Sequence, residues 1–563
     1  MNALAGGITP HLIVAPIVLP LVTAAAMLVL GEKRWRIKGL VNVASTLAGL
    51  CISIALLRWA NGNGAPAAIG VYLPSNWQVP FGIVLVLDRL SALMLVLTGM
   101  VGLASALFAI ARWDRVGVHF HPLFQIQLMG LYGAFLTGDL FNLFVFFEVM
   151  LAASYGLLLH GSGRARVASS LHYIAINLAA SSLFLIGTAL IYGVTGTLNM
   201  ADLAQKIPLI PAADRGLLHA GAAILATAFL AKAAMWPLNF WLVPAYSAAT
   251  APVGALFAIM TKVGVYALLR LWTLLFSDAA GASAHFGGDW LVVGGLATMA
   301  FGATGLLASR KLQRLASFSV IVSSGTLLAA IGFGQAALTG GALFYLLSST
   351  LALSALFLLV ELIERSRQSE VDMPPPDDGD DRLPFSVEPI ASPRVTNLDD
   401  EGTLIGQAIP AAMAFLGLAF IGCTLLLTGM PPLSGFLAKF SMLSALLNPI
   451  GLGATAAAPL AAAGWALLVA LIVTGFISLL ALSRAGIRFL WAPQGRPAPR
   501  LRIIECLPIA ALLLACALLT VRAEPMLRYA QSAADALHQP AQYIRVVLSA
   551  QPVPNPPAKG AVE

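Results

Sequence analysis

Apolar runs long enough to cross a bilayer recur from residue 10 to residue 521 of this 563-residue chain. A span needs about twenty apolar residues. At that depth no water is present to satisfy stray backbone N–H and C=O groups, so such runs take the form of helices. The chain is 59% hydrophobic and 10% charged, whereas a soluble domain carries about 25% charged residues. These features predict an all-α polytopic membrane protein with about fourteen transmembrane helices. The N-terminal apolar run has no basic stretch before it and reads as a first membrane helix rather than a cleaved signal. The four cysteines, Cys51, Cys423, Cys506 and Cys516, lie in apolar runs without metal spacing and read as small buried packing residues.

Loop charge sets an orientation. Residues 31–38 read GEKRWRIK, and further Arg and Lys fill later alternate loops, at Arg112, Arg164, Arg166, Arg310, Lys311, Arg314 and from Arg484 to Arg502. The opposite loops 59–82, 277–289 and 448–460 hold no Lys or Arg. The positive-inside rule then places loop 31–38 in the cytoplasm and both termini outside. Segment 409–447 is too long for one straight span. The same rule favours reading it as one helix broken at Gly429, Pro431 and Pro432, because two full spans would carry the Arg-rich loop 484–502 outside. Residues 365–408 hold the acidic stretch; from Glu370 to Glu401 there are ten acids and two Arg. They read as an exposed, irregular cytoplasmic insert.

Four ionisable residues lie deep in these apolar runs: Glu148, Lys232, Lys262 and Lys439. A charge at the bilayer centre costs roughly 2.5–3.5 kcal/mol on insertion scales, and such residues usually mark an ion or proton path. Snorkelling toward the interface is the plainer reading of a lysine near a helix end, as Lys232 is. Glu148 has no basic residue near it in sequence, and Lys232 is its best candidate partner. The tetrapeptide FLAK occurs twice, at Phe229–Lys232 and Phe436–Lys439, with Met235 and Met442 three residues after each lysine. A helix breaker stands beside each copy, Pro237 after the first and Pro431–Pro432 before the second. Broken helices in corresponding positions of two oppositely directed halves are the signature of inverted-topology repeats around an ion site. The expected organisation is helices of the N-terminal part over 1–118, a first repeat over 119–276, a second over 290–490, and a last helix with its tail over 504–563.

Other polar residues have local explanations. Asp88 and Arg89 fit an interfacial ion pair, and Asp139 a helix start. His160 and His172 flank a basic loop, and Glu361 and Glu364 read as solvated at a helix end. No nucleotide loop, zinc motif or haem motif is present, so no cofactor, redox centre or ATP hydrolysis is expected.

GDLFNLFVFFEVMLAASYGLLL, YGVTGTLNMADLA, AKAAMWPLNFWLVPAYSAATAPVGALFAIMTKVGVYALLR and GMPPLSGFLAKFSML resemble the antiporter-like subunits shared by respiratory complex I and Mrp-type cation/proton antiporters. LFNLFVFFEVM is most similar to the D subunit of the Mrp (Mnh, Pha) type. The resemblance implies fourteen helices with two inverted five-helix repeats. It also implies a Glu148–Lys232 pair, with Lys262 and the terminal Lys439 continuing a proton-translocating row. The implied partners are the other subunits of a hetero-oligomeric antiporter in a bacterial inner membrane, with Na+ or K+ exchanged for protons. A proton-pumping subunit of a redox complex is the alternative. One departure stands out. Related subunits often carry His and Lys in the span before the insert, where this chain has Ser349 and Leu353. That assigns the relay there to water with Ser348, Ser349 or Ser354. The tail after residue 522 is expected to be short, without a long amphipathic arm.

Overall fold

The computed structural model describes residues 10–31, 34–62, 69–113, 117, 119–161, 163–371, 411–448, 460–491 and 501–553. Most of the acidic insert therefore lies outside the described residues. The part that is described continues the preceding helix to Val371 rather than opening a loop at 365.

The architecture is nearly all helical. In chain order the helices are α1 (Ala15–Val29), α2 (Trp35–Asn61), α3 (Arg89–Ile110), α4 (Phe120–Leu136), α5 (Leu140–Leu159), α6 (Arg164–Thr195), α7 (Met200–Lys206), α8 (Ala212–Lys232), α9 (Leu242–Ala248) and α10 (Ala251–Leu275). There follow α11 (Gly288–Ala308), α12 (Leu312–Gly332), α13 (Ala336–Val371), α14 (Ala411–Thr428), α15 (Ser434–Leu447), α16 (Ala462–Gly486), α17 (Ile503–Val521), α18 (Ala523–His538) and α19 (Ala541–Leu548). Among the described residues, 11 helices are long and apolar enough to cross a membrane. The chain is a multi-pass membrane protein. The expected span 83–110 divides: β2 (Leu85–Leu87) precedes α3 and pairs antiparallel with β1 (Gly70–Tyr72) in the loop after α2.

Two helices form the centre. α10 and α13 are apolar on all sides and are buried almost throughout, as expected for helices enclosed by others. α12 is also largely enclosed, and spans further out turn one face inward and large apolar side chains outward, such as Trp465, Val469 and Phe476 of α16. Glycine permits a close approach of α11 to α12. A Cβ at Gly295 would lie 2.4 Å from the Ala329 backbone nitrogen, so only a small residue admits this contact.

The basic loops meet on one face, here called the basic face. Arg484 donates to the Leu307 carbonyl at 2.7 Å, Arg502 to the Ala111 carbonyl at 2.9 Å, and His160 to the Trp113 carbonyl at 2.8 Å. Arg365 and Glu505 form a two-pronged ion pair there, both bonds 2.7 Å. On the opposite face Asp139 caps α5, accepting from the Asn142 N–H at 2.9 Å, as its position suggests. Asp88 caps α3 through the Ser91 N–H. Its ion-pair partner is the distant Arg270 of α10, at 2.6 and 2.7 Å, and not the adjacent Arg89. The pairing is tertiary: α10 ends beside the start of α3, and the cap residue is the counter-charge available to the buried guanidinium.

The tail is more structured than expected. α18 and α19 lie across the opposite face. α18 buries Tyr529, Ala530, Ala533, Ala534 and Leu537, one stripe of a helix. Tyr529 donates to the Arg89 carbonyl, His538 pairs with Thr339, and the Tyr543 ring faces the Arg270 guanidinium at 5.3 Å. Of the four cysteines, Cys423 and Cys516 are buried, whereas Cys51 is exposed on a helix whose outer side faces lipid.

Asp88→Ala should destabilise the protein by about 3–5 kcal/mol, the cost of leaving a buried charge unpaired. Thermal unfolding of the purified protein should show this, and Asp88→Ala/Arg270→Leu should recover part of it.

Candidate functional site

Each helix break has the same backbone construction. α8 ends at Lys232; Ala234 takes φ 57°, and the Trp236–Pro237 peptide is cis. α14 ends at Thr428; Gly429 takes φ 78°, and the Pro431–Pro432 peptide is cis. In both, an N–H reaches back five residues, Met235 to the Leu230 carbonyl and Met430 to the Leu425 carbonyl, each at 3.0 Å. Freed groups then find partners from neighbouring elements: Trp241 donates to the Ala231 carbonyl at 3.1 Å, and Thr298 accepts from the Trp236 N–H at 2.9 Å. This satisfies the rule that irregular backbone at membrane depth is covered by protein.

Glu148 sits on α5, only half-buried, and accepts a hydrogen bond from Ser181 of α6. Among the described residues it forms no ion pair within 4 Å, so its direct partner is a serine and not Lys232. The ammonium of Lys232 lies 3.4 Å from the Asn177 amide oxygen and 5.5 Å from the centre of the Phe147 ring. At 5% exposure Lys232 does not snorkel.

Lys262 is 0% exposed, midway along α10. Its ammonium donates to Ser323 at 2.9 Å and reaches Ser324 at 3.5 Å, both on α12. Ser323 in turn donates to Ser349 of α13 at 3.1 Å. The preceding residue, Ser348, bonds Ser434 at the start of α15 at 2.8 Å. Ser354, the third serine considered from sequence, donates instead to the Ala255 carbonyl at 2.9 Å. Lys439, further along α15, donates to the Thr428 carbonyl at the broken end of α14 at 2.8 Å. A carbonyl freed by the break thus solvates the lysine. Lys439 is half-buried, like Glu148.

Of the four ionisable residues, Lys232 and Lys262 are enclosed, and Glu148 and Lys439 are partly open. Sequence reasoning did not find Ser181, Asn177, Ser323 or Ser434. The only trace they leave is a polar residue in an otherwise apolar helix, and the chain has many such residues. His172 bonds its own helix at Ala168 and joins none of this. Among the described residues no cluster of His, Cys, Asp and Glu suits a metal ion.

A family profile described as NADH:quinone oxidoreductase/Mrp antiporter, transmembrane, matches residues 137–457, which contain all four ionisable residues and both breaks. The chain belongs to this family. A Rhizobium meliloti protein, named as the D subunit of a probable K(+)/H(+) antiporter, is 52% identical over 542 residues, covering 96% of this chain and 98% of its own. The Na(+)/H(+) antiporter D subunit of Alkalihalophilus pseudofirmus is 32% identical over 545 residues, covering 96% and 99%. Among solved structures, a chain of the Mrp complex from Dietzia sp. DQ12-45-1b superposes with TM-score 0.77 at 28% identity, covering 96% and 99%. A chain of respiratory complex I from Thermus thermophilus shares the fold, with TM-score 0.70 at 22% identity, covering 96% and 100%. The resemblance read from the motifs is to this family, and within it to the D-subunit type.

A Cβ at Gly475 of α16 would stand 3.1 Å from the Lys439 ammonium and 3.0 Å from the Thr428 carbonyl. Gly475→Ala should push the lysine off this carbonyl and slow antiport severalfold while the complex still assembles. Vesicle flux measured beside a native gel would check both.

Proposed function

We propose that this chain is the proton-translocating subunit of a multi-subunit monovalent cation/proton antiporter, a transporter subunit and not an enzyme. It sits in a bacterial inner membrane with its basic face in the cytoplasm and both termini outside. The observation that carries the reading is the set of four ionisable residues at membrane depth, Glu148, Lys232, Lys262 and Lys439, each met by a neutral hydroxyl, amide or carbonyl partner. The names of the full-length relatives support antiport of K+ or Na+ against protons.

The row works by moving charge between sites that each stabilise it only partly. Glu148 with Ser181, and Lys232 with Asn177 and the Phe147 ring, hold one carboxylate and one ammonium near each other without a direct ion pair. A buried pair of this sort suits a switch better than a strut, because desolvation offsets much of the attraction. A proton arriving on Lys262 adds positive charge beside Lys232 and drives it toward Glu148. Its departure releases that pairing. Ser323, Ser349, Ser348 and Ser434 are the hydroxyl bridge from Lys262 toward Lys439, filling the place of the His and Lys that related subunits carry. The half-buried ends, Glu148 and Lys439, face partner subunits, through which proton movement is coupled to cation export. The halves 119–276 and 290–490 act as two inverted repeats, each with its broken helix, α8–α9 and α14–α15, beside a lysine.

The test is proton/cation antiport in everted vesicles from antiporter-deficient cells expressing the whole gene cluster, with Na+ and K+ assayed separately and assembly checked by native gel. Glu148→Gln and Lys232→Ala should each lower antiport at least tenfold in an assembled complex. Full retention would reduce the subunit to a scaffold, and absence of antiport in the native cluster would point to a redox-driven pump. Ser323→Ala/Ser349→Ala should slow the rate severalfold without changing which cation is moved.

A further inference from the structure

Glu361 was expected to be solvated at the end of a span. In the structure it is half-buried on α13, at the basic face, and both carboxylate oxygens accept from the Trp113 indole N–H at 2.8 and 2.9 Å. Polar and charged groups surround it from several elements. Arg112 and Trp113 come from the segment after α3, Arg365 from α13 itself, and the Ala251 N–H from the start of α10. Arg166, at the start of α6, adds a guanidinium over the Trp113 ring at 5.5 Å and donates to the Ala248 carbonyl. His160 donates to the Trp113 carbonyl. The carboxylate is thus held in place over the first turn of α10, the helix that carries Lys262.

A second observation comes from the neighbouring helices α3 and α4. Gln127 of α4 is 0% exposed, and neither its amide oxygen nor its amide nitrogen has a hydrogen-bond partner among the described residues. Ser105 of α3 is also 0% exposed, with an unpartnered hydroxyl among the described residues. Buried amides and hydroxyls are almost always paired, with protein or with ordered water. Each such unpaired group, on helices in contact with one another, is a place where water belongs. Their depths agree. Counted at 1.5 Å per residue, Ser105 and Gln127 lie roughly 8 and 10 Å in from the basic-face ends of α3 and α4, and Ser354 lies roughly 10 Å along α13 from Glu361. Lys262 lies roughly 16 Å in on the same scale. The helices concerned, α3, α4, α10 and α13, all touch one another or α10.

We infer that Glu361 exchanges protons between the basic face and Lys262, through water held by Ser105, Gln127 and Ser354. The step balances simply. The carboxylate takes a proton from the aqueous face, or returns one to it. The water chain carries the same proton to or from the Lys262 amine, and no other bond changes. Trp113 and the arginines position the carboxylate and keep it at the mouth. The inference rests on the lysine row being a proton path, and it adds where that row meets the basic-face solution.

The experiment measures antiport in everted vesicles carrying the full complex, where the basic face looks into the bath, as bath pH is varied. Glu361→Gln keeps the size and the acceptor for Trp113 but cannot exchange a proton. Antiport should fall about tenfold, lose most of its dependence on bath pH, and keep the cation KM. Glu361→Asp should restore the pH dependence. Gln127→Leu should slow the rate severalfold with assembly intact. Trp113→Phe removes the indole donor and leaves the carboxylate, so it should retain most activity. Native rate and pH profile in Glu361→Gln, with Lys262→Ala inactive, would overturn this inference alone. Native rate in Lys262→Ala would overturn the row and this inference with it. Equal loss in Trp113→Phe and Glu361→Gln, with an unchanged pH profile in both, would make Glu361 a structural anchor and overturn the proposal.

Discussion

Lys262 is an ammonium at the centre of an apolar bundle, with no carboxylate bonded to it among the described residues, and its solvation governs much of the fold around it. The charge has to be met by neutral oxygen, and Ser323 and Ser324 of α12 supply it. That requires α12 to lie against α10 at the depth of the lysine. It also accounts for α10 being enclosed, since a helix facing lipid could not carry this residue without distortion of the bilayer.

The same need recurs at the other lysines with a different solution. At Lys439 the oxygen comes from backbone, the Thr428 carbonyl left free where α14 stops. At Lys232 it comes from the Asn177 side chain and the face of an aromatic ring. The helix breaks therefore do more than bend the chain. They place unsatisfied carbonyls and turn residues at membrane depth, and the surrounding helices complete their hydrogen bonds. The ion-pair interactions that hold the bundle lie at its two faces, Asp88 with Arg270 on one and Arg365 with Glu505 on the other. The interior is thus left to weak, exchangeable contacts, which suits a path along which charge moves.

The serine run from Ser323 to Ser434 and the Glu361 cluster divide the labour in this reading. Hydroxyls can donate and accept in turn, so they carry a proton along without holding it. Carboxylate and amine hold it at defined stations. Glu361 at the mouth, Lys262 at the centre and Lys439 at the far end are separated by hydroxyl and amide groups. Each station is within reach of a different environment: solution, enclosed protein, and the surface open to a neighbour.

The sequence by itself determined the helical membrane-spanning class, the alternation of basic loops, both helix breaks and the four ionisable residues. The reason is that lipid punishes charge and unsatisfied backbone wherever they occur, so each exception is visible as an exception in one dimension. Asp139 as a helix cap was legible for a similarly local reason. What only the tertiary structure decided is who meets whom. Asp88 sits next to Arg89 in sequence yet pairs with Arg270, 182 residues away. Glu148 takes Ser181 as its direct partner, and Glu361 is drawn under Trp113. C-terminal helices of modest hydropathy fold back onto the opposite face. Serine, asparagine and glutamine carry no periodic or charge signal that separates a relay from ordinary helix packing. Their meaning comes from the neighbour across the helix interface, and the packing of α10 and α13 chooses that neighbour.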